Sequence, residues 1–203
     1  MNKGTEKRIF DIMPNSFTTI LCSNCIDKIK LGNSIKNKSD LLITTKAIDL
    51  YGDVDKKLVN MLKIKDLLLY DFDTLSSGEK QLVQIVTALG SDFDRIIIVD
   101  ALSNISLINK EKILKYLKKL KNKTVIYITN NKEDIIYTDN FILYDNEVIL
   151  NDKLSIVLDK EKEFKKAGFE LPFMPLLSLK LKYYNLIDKP ILSMERMVDK
   201  LWK

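Results

Sequence analysis

The sequence contains the run Leu75-Ser76-Ser77-Gly78-Glu79-Lys80-Gln81, directly before an apolar segment that continues to Leu89. Ser76 and Glu79 have the Ser-x-x-Glu spacing of a capping box, in which each side chain accepts a backbone N–H of the other residue at the start of a helix. The pattern therefore predicts a helix that opens at Ser76, runs through Leu89 and stops at Gly90.

The residues that follow this helix predict a parallel sheet. The segment Arg95-Ile-Ile-Ile-Val-Asp100 is rich in β-branched residues without polar alternation, which is typical of a strand covered on both faces. Residues 110–120 place apolar side chains at helical spacing, and residues 124–129 form another apolar run. Strand, helix and strand in this order predict a βαβ unit.

The remaining segments complete an α/β pattern. Strands are predicted at 17–21 and 41–44, a helix start near Lys28, a helix over 55–69 and a hairpin over 141–150. Beyond Asp152 the pattern changes to short helices, predicted at 160–167, 176–184 and 194–202. We therefore expect an α/β domain over residues 1–152 and a small helical appendage over residues 153–203.

Composition favours a cytoplasmic protein. Apolar residues make up 46% and charged residues 30% of the 203 positions, which fits one domain of ordinary size with a small appendage. The longest apolar runs fall short of the ~20 residues needed to span a bilayer. The polar N-terminus has no apolar signal-peptide core.

Charge and cysteine usage bear on two further functions. The net charge is +5, but the basic residues are mostly lysine, and the mixture of arginine and aromatic residues that marks a nucleic-acid surface is lacking. Nucleic-acid binding is therefore an alternative that only the charge favours. Cys22 and Cys25 are the only cysteines and the chain has no histidine, so a four-ligand zinc site is not expected.

The capped run and the Asp-terminated strand together resemble the signature helix and Walker B strand of an ABC-type ATPase. In that family two ATP molecules lie between head-to-tail subunits, and each signature reaches the nucleotide of the partner. The resemblance implies that Ser76 supplies a hydroxyl at a helix N-terminus, where the macrodipole favours phosphate. It also makes Ser77, Gly78 and Glu79 candidate ATP-binding residues, with Glu79 where the family usually has glutamine. An ordinary capped helix is the alternative interpretation.

The Walker B resemblance implies an incomplete catalytic site. Asp100 matches the family's Mg²⁺-orienting aspartate and is the candidate metal ligand. The next residue is Ala101, where the family has a glutamate that polarises the attacking water, and alanine has no proton acceptor. Asn130 stands in place of the switch histidine, and the only glutamines, Gln81 and Gln84, lie outside the Q-loop position. No catalytic residue is therefore assigned.

The Walker A position is the most altered. When the segment after the first strand is aligned with the family's phosphate loop, Lys28 and Asn24 match and are candidate nucleotide-binding residues. Cys22 and Asp27 replace the two motif glycines, and Ile29 replaces the residue whose hydroxyl binds Mg²⁺. Asp27 would thereby place a carboxylate against the phosphates.

The C-terminal segment from Phe164 to Leu201 resembles the extension of energy-coupling-factor (ECF) transporter ATPases, which helps to join two ATPase subunits. Residues 153–203 are therefore expected to take part in dimerisation. The interval between Lys28 and Ser76 is shorter than the family norm, which implies a shortened helical subdomain at about residues 46–89.

The resemblance implies a P-loop NTPase-like ABC nucleotide-binding domain with a mostly parallel sheet. The implied function is that of a degenerate ATP-binding subunit of an ABC or ECF-type transporter, working in a heterodimer. An intact partner ATPase would hold most of the ATP and Mg²⁺, and an integral membrane subunit would place the chain on the cytoplasmic face of the cell membrane. The alternatives are a weak stand-alone ATPase and a non-catalytic ABC-like scaffold or regulator without nucleotide binding.

Overall fold

The structure is a computed structural model that describes residues 10–45, 50, 53–154, 156 and 160–202. The chain divides into two compact units, Met1–Thr18 with Asp27–Ile128 and Thr19–Ile26 with Thr129–Lys203. None of the helices in the described ranges combines the length and the apolar character that a bilayer crossing requires.

The strands form one six-stranded sheet in the order β2-β3-β4-β1-β5-β6, and confirm the predicted α/β class. The bounds are β1 Phe17–Cys22, β2 Leu41–Thr44, β3 Arg95–Val99, β4 Thr124–Thr129, β5 Asn140–Asp145 and β6 Glu147–Lys153. Strands β2, β3 and β4 pair in parallel, with Ile96 of β3 opposite Leu41 of β2 and Val125 of β4. Strands β5 and β6 form the predicted antiparallel hairpin.

The helices are α1 Lys28–Ile35, α2 Lys56–Leu62, α3 Ser77–Gly90, α4 Leu107–Lys119, α5 Glu161–Lys166, α6 Phe173–Tyr183 and α7 Met194–Leu201. The predicted start near Lys28 and the predicted capped helix up to Gly90 are confirmed by α1 and α3. Helix α4 begins three residues before the predicted position, because the Ser106 hydroxyl caps it by accepting the Asn109 N–H at 3.4 Å.

The single helix predicted over 55–69 is wrong. Helix α2 ends at Leu62, and residues 66–69 form a separate 3₁₀ turn. Lys63 adopts a left-handed backbone with φ 59°, and the N–H of Ile64 turns back to the carbonyl of Val59 at 3.3 Å. This closing bond satisfies the last carbonyls of the helix and stops it without a glycine.

The first unit has its core on the parallel strands. Residues 96–98 of β3 are fully buried, as are Ile113 and Leu117 of α4. Helix α1 lies directly on β3, since a Cβ added at Gly32 would be 2.9 Å from Cγ2 of Val99. This close approach brings the N-terminal end of α1 to the carboxyl end of β3.

The second unit contains two small hydrophobic clusters. One combines β5 residues with the C-terminal segment, and its aromatic pair Phe141 and Phe164 has ring centroids 5.7 Å apart. The other is formed by Met174, Ile187 and Met197, which join α6 to α7. The C-terminal helices therefore have an apolar core of their own.

Candidate functional site

The N-terminal end of α1 is capped by a carboxylate from the chain itself. Asp27 is the N-cap residue, and its Oδ1 accepts the backbone N–H groups of Ile29 at 3.1 Å and of Lys30 at 3.0 Å. Aspartate is a favoured N-cap because its oxygen replaces the acceptors that the first turn of a helix lacks. The N–H groups that would face a phosphate at a helix N-terminus are therefore already satisfied by Asp27.

Lys28 and Asp100 form an ion pair. The Lys28 Nζ lies 2.8 Å from the Asp100 Oδ2, and the two side chains are 17% and 29% exposed. The resemblance predicts that Lys28 binds phosphate and that Asp100 binds Mg²⁺. In the structure, the charge of each residue is neutralised by the other. At this partial burial the attraction is less screened by water than in an exposed pair.

Asp100 also begins the turn that follows β3. Its backbone is left-handed with φ 52°, its N–H donates to the Ile128 carbonyl at 3.1 Å, and its carbonyl accepts the Ser103 N–H at 2.9 Å. Left-handed backbone is tolerated by aspartate and asparagine better than by most residues. Ala101, at the position where the resemblance implies a water-polarising glutamate, is fully buried.

Two further residues from the sequence predictions, Asn24 and Asn130, lie in the second unit. The Nδ2 of Asn130 donates to the Oδ1 of Asn24 at 2.6 Å. Asn24 is thus hydrogen-bonded to the residue at which the resemblance implies a switch histidine. Cys22 is buried and its Sγ lies 3.7 Å from the Thr129 carbonyl oxygen, whereas Cys25 is exposed, and neither of the two is in a disulfide.

The predicted signature residues form a corner at the start of α3, and we call residues 75–79 the signature corner. Ser76 and Ser77 are exposed, Gly78 and Glu79 are half-buried, and Leu75 is buried. Ser76 is the N-cap, and its hydroxyl accepts the Glu79 N–H at 3.4 Å. The Glu79 carboxylate accepts the Ser76 N–H at 2.9 Å and the Ser76 hydroxyl at 2.6 Å, which completes the capping box. These two hydrogen bonds from Ser76 hold the pKa of Glu79 below its usual range.

The remaining N–H groups of this first turn are those of Ser77 and Gly78, which have no acceptor within the helix. The side chains of Ser76 and Ser77 are exposed. Exposed N–H groups at the positive end of a fourteen-residue helix attract an anion. The signature corner therefore has the donors that a phosphate requires, although Glu79 keeps a negative charge beside them.

Gly78 is the point where the signature corner rests on the turn that follows Asp100. A Cβ added at Gly78 would lie 2.7 Å from the backbone carbonyl oxygen of Asn104, closer than real contacts allow. Only glycine lets the two backbones approach this closely. The sequence analysis missed this packing role, because nothing in the sequence pairs residue 78 with residue 104.

The residues at the start of α1 do not fit Mg-ATP. Asp27 places a carboxylate where the phosphates would lie, and Lys28 is paired with Asp100. Ile29 offers no hydroxyl for a metal. Within the described ranges, no group of three or more His, Cys, Asp or Glu side chains is arranged to hold a metal ion.

Comparisons with known proteins give several similar sequences. The chain is 30% identical over 156 residues to the energy-coupling factor transporter ATP-binding protein EcfA of Malacoplasma penetrans, covering 74% of this chain and 54% of that protein. It is 31% identical over 145 residues to EcfA1 of Fusobacterium nucleatum, with coverages of 70% and 52%. EcfA1 of Mycoplasmopsis synoviae is 27% identical over 205 residues, covering 99% of this chain and 73% of that protein. The chain thus spans about half the length of the first two relatives, and no protein-family model matches it.

Solved structures of ABC transporter components share the fold. The structure of cbiO1 from Clostridium perfringens, part of the ABC transporter complex cbiONQ, superposes with a TM-score of 0.59 and 17% identity over 83% of this chain and 89% of that one. A metal-chelate type ABC transporter in an inward-facing conformation gives a TM-score of 0.57 and 16% identity, with coverages of 75% and 79%.

The fold is therefore that of an ABC transporter nucleotide-binding domain, a P-loop NTPase-like α/β class. Within that class, the chain resembles the ATP-binding proteins of energy-coupling-factor transporters, as the signature run and the C-terminal segment predict.

Proposed function

We propose that the chain is a degenerate ATP-binding subunit of an ABC or ECF-type transporter, which supplies its signature corner to the nucleotide of an intact partner ATPase. In this proposal the two subunits form a heterodimer on the cytoplasmic face of the cell membrane, bound to an integral membrane subunit. The relatives named EcfA and EcfA1 support the transporter assignment.

One observation carries the asymmetric role. At the start of α1, Asp27 and the Lys28–Asp100 ion pair use the groups that would bind a nucleotide, whereas Ser76 and Ser77 are exposed at the start of α3. A subunit with this contrast is suited to completing a neighbour's site and unsuited to holding its own nucleotide.

ATP and Mg²⁺ would then be bound mainly by the partner. From this chain, the Ser76 hydroxyl and the N–H groups of Ser77 and Gly78 would contact the terminal phosphate. The nucleotide supplies the phosphoryl group that is transferred to water, and the contribution of this chain is to stabilise negative charge with fixed donors. With Ala101 after Asp100, the chain supplies no general base of its own.

The C-terminal extension, residues 153–203, is proposed to join the two ATPase subunits. Helix α7 carries three exposed apolar side chains at helical spacing, Met194, Val198 and Leu201, and the exposed Trp202 follows as its C-cap residue. Apolar residues grouped on one helix face are typical of a protein contact surface. The proposal also includes a helical subdomain, at about residues 46–89, that is shorter than in other members of the family.

A non-catalytic ABC-like scaffold is the second candidate. The Glu79 carboxylate favours it, because this group occupies both the hydroxyl and the N–H of Ser76 and adds a negative charge to the corner. In a scaffold, the Ser76 hydroxyl serves only to cap α3.

The two candidate functions predict different rates of ATP hydrolysis for the complex that is recovered with a tagged chain from native cells. If the signature corner completes the partner's site, Ser76→Ala lowers ATP hydrolysis by the complex about 10²-fold, as expected when one charge-stabilising donor is removed. Ser91→Ala is the matched control, since it removes a serine hydroxyl at the opposite end of the same helix, where Ser91 donates to the Ala88 carbonyl, and leaves the signature corner intact.

Recovery of an ABC ATPase and an integral membrane protein with the tag would support the partner assignment. Equal hydrolysis by the Ser76→Ala and Ser91→Ala complexes would favour the scaffold.

A further inference from the structure

We infer that Lys28 and Asp100 are positioning residues, whose ion pair holds the turn that supports the signature corner. The inference rests on the proposed function of that corner. It gives both residues a role other than binding phosphate and magnesium, and it treats the former nucleotide site as a brace for the site presented to the partner.

The first step is the ion pair itself. The Lys28 Nζ is 2.8 Å from the Asp100 Oδ2, and both side chains are less than one-third exposed. An ammonium group at this distance opposes the approach of a second cation to the same oxygen. Because Lys28 is the first residue of α1, the pair ties that helix to the carboxyl end of β3.

The second step is the turn that Asp100 begins. The hydrogen bond from Asp100 N–H to the Ile128 carbonyl fixes the turn to β4, and the bond from Ser103 N–H to the Asp100 carbonyl closes it. Ala101 and Leu102 are fully buried, so the turn has little freedom to change its path without moving core side chains.

The third step joins the turn to the signature corner. The Asn104 carbonyl oxygen would be 2.7 Å from a Cβ at Gly78, so the backbone of the turn touches the first turn of α3 directly. Ser76 lies two residues before Gly78 and caps the same turn of helix. A shift of the turn therefore moves the donors of the signature corner.

Hydrogen exchange of the isolated full-length chain tests this coupling. The reporters are the amides of Ser76, Glu79 and Lys80, which are bonded to the Glu79 carboxylate, the Ser76 hydroxyl and the Ser76 carbonyl. Lys28→Met keeps the length of the side chain and removes its charge. We expect these amides to exchange about threefold faster or more in Lys28→Met than in the native chain, because local opening becomes easier.

Two further variants make the test specific. Asp100→Asn removes the charge but keeps a residue that tolerates left-handed backbone, and should give the same local acceleration. Asp100→Asn also provides the test on its own if Lys28→Met does not fold. Lys28→Arg retains the positive charge and should leave the exchange near the native rate. If the length and packing of the lysine mattered and its charge did not, Lys28→Arg would accelerate exchange as Lys28→Met does.

The matched control is an ion pair at the opposite end of β3. The Arg95 Nη1 lies 2.7 Å from the Asp40 Oδ2, and Arg95 is the first residue of β3, at the end opposite Asp100. Arg95→Met breaks this pair and should lower overall stability without selective exchange at residues 76–80. Midpoints of urea unfolding measure that stability for each variant.

Unchanged exchange in both Lys28→Met and Asp100→Asn would overturn the inference, as would an equal local acceleration in Arg95→Met. Mg-ATP protection of the native chain that Asp100→Asn abolishes would also overturn it, because Asp100 would then be a metal ligand. The experiment contains no partner, so its failure is distinct from failure of the proposed function, which the Ser76→Ala complex decides.

Discussion

Two helix N-termini in the first unit, those of α1 and α3, are capped in different ways. At α1 the Asp27 carboxylate itself accepts the N–H groups of Ile29 and Lys30, and the neighbouring Lys28 is paired with Asp100. At α3 the N-cap is Ser76, whose N–H and hydroxyl donate to the Glu79 carboxylate, and the N–H groups of Ser77 and Gly78 lack an acceptor within the helix. The carboxylate at α1 occupies N–H groups of the first helical turn, whereas the carboxylate at α3 binds the N-cap residue and leaves the N–H groups of Ser77 and Gly78 as donors.

The backbone surroundings of the two sites differ as well. The signature corner rests on the Asn104 carbonyl through Gly78, while Asp27 is an exposed residue at the surface end of α1. The first is held by close packing that a single methyl group would disturb. The second depends on hydrogen bonds of one side chain, so substitutions there should be better tolerated.

Gly78→Ala should have the largest effect on stability. The new Cβ would meet the Asn104 carbonyl at 2.7 Å, and such overpacking costs about 1–3 kcal/mol. Urea unfolding of the full chain measures this loss. Ser77→Ala, at the exposed neighbouring position, should stay within about 0.5 kcal/mol of the native value. Equal stability of the two variants would show that the contact between Gly78 and Asn104 does not restrict the side chain at residue 78.

Asp27→Gly should open the α1 N-terminus to an anion. Glycine at an N-cap costs only a few tenths of a kcal/mol, while the N–H groups of Ile29 and Lys30 lose their acceptor. Added inorganic phosphate should then raise the unfolding temperature by about 1 °C at a concentration equal to its Kd.

The native chain, with Asp27 in place, should show no such rise and no micromolar affinity for Mg-ATP. A phosphate-dependent rise of equal size in the native chain would mean that Asp27 does not block the site.

Much of the fold could be predicted from local pattern. The β-branched runs fixed β3 and β4, and the Ser-x-x-Glu spacing fixed the start of α3, because these signals act within a few residues. The end of α2 could not be predicted in the same way. Lys63 takes the left-handed position where glycine is the usual signal, so the periodic apolar pattern continued past the real end of the helix.

The candidate site could be predicted residue by residue, but its pairings could not. The resemblance gave Lys28 a phosphate and Asp100 a magnesium ion as ligands. In the structure the two residues bind each other, because parallel α/β topology brings a helix start and a strand end together. Their opposite charges were the available signal. The contact of Gly78 with Asn104 is between backbones, and therefore leaves no trace in side-chain type at residue 104.

The smallest expected effect concerns the charge in the signature corner. The pKa of Glu79 is lowered by its hydrogen bonds with Ser76, so its contribution to the cap is present above the ordinary glutamate pKa of about 4.3 and is lost as the pH falls through the lower folded value. Exchange of the Ser76 amide should therefore rise, relative to its intrinsic rate, as the solution is acidified.

Glu79→Gln retains a side chain that can complete a capping box and cannot titrate. Its Ser76 amide should show a flat profile over the same pH range. The same acid-induced change in Glu79→Gln would assign the effect to another group.

The most direct test of the account is a count of nucleotides per complex, by native mass spectrometry of the complex recovered with the tagged chain in Mg-ATP. The contrast between the two helix N-termini predicts one tightly held ATP for each copy of this chain, retained when Ser76 is replaced by alanine because the partner holds most of that nucleotide. Two ATP molecules per complex, or none, would contradict it.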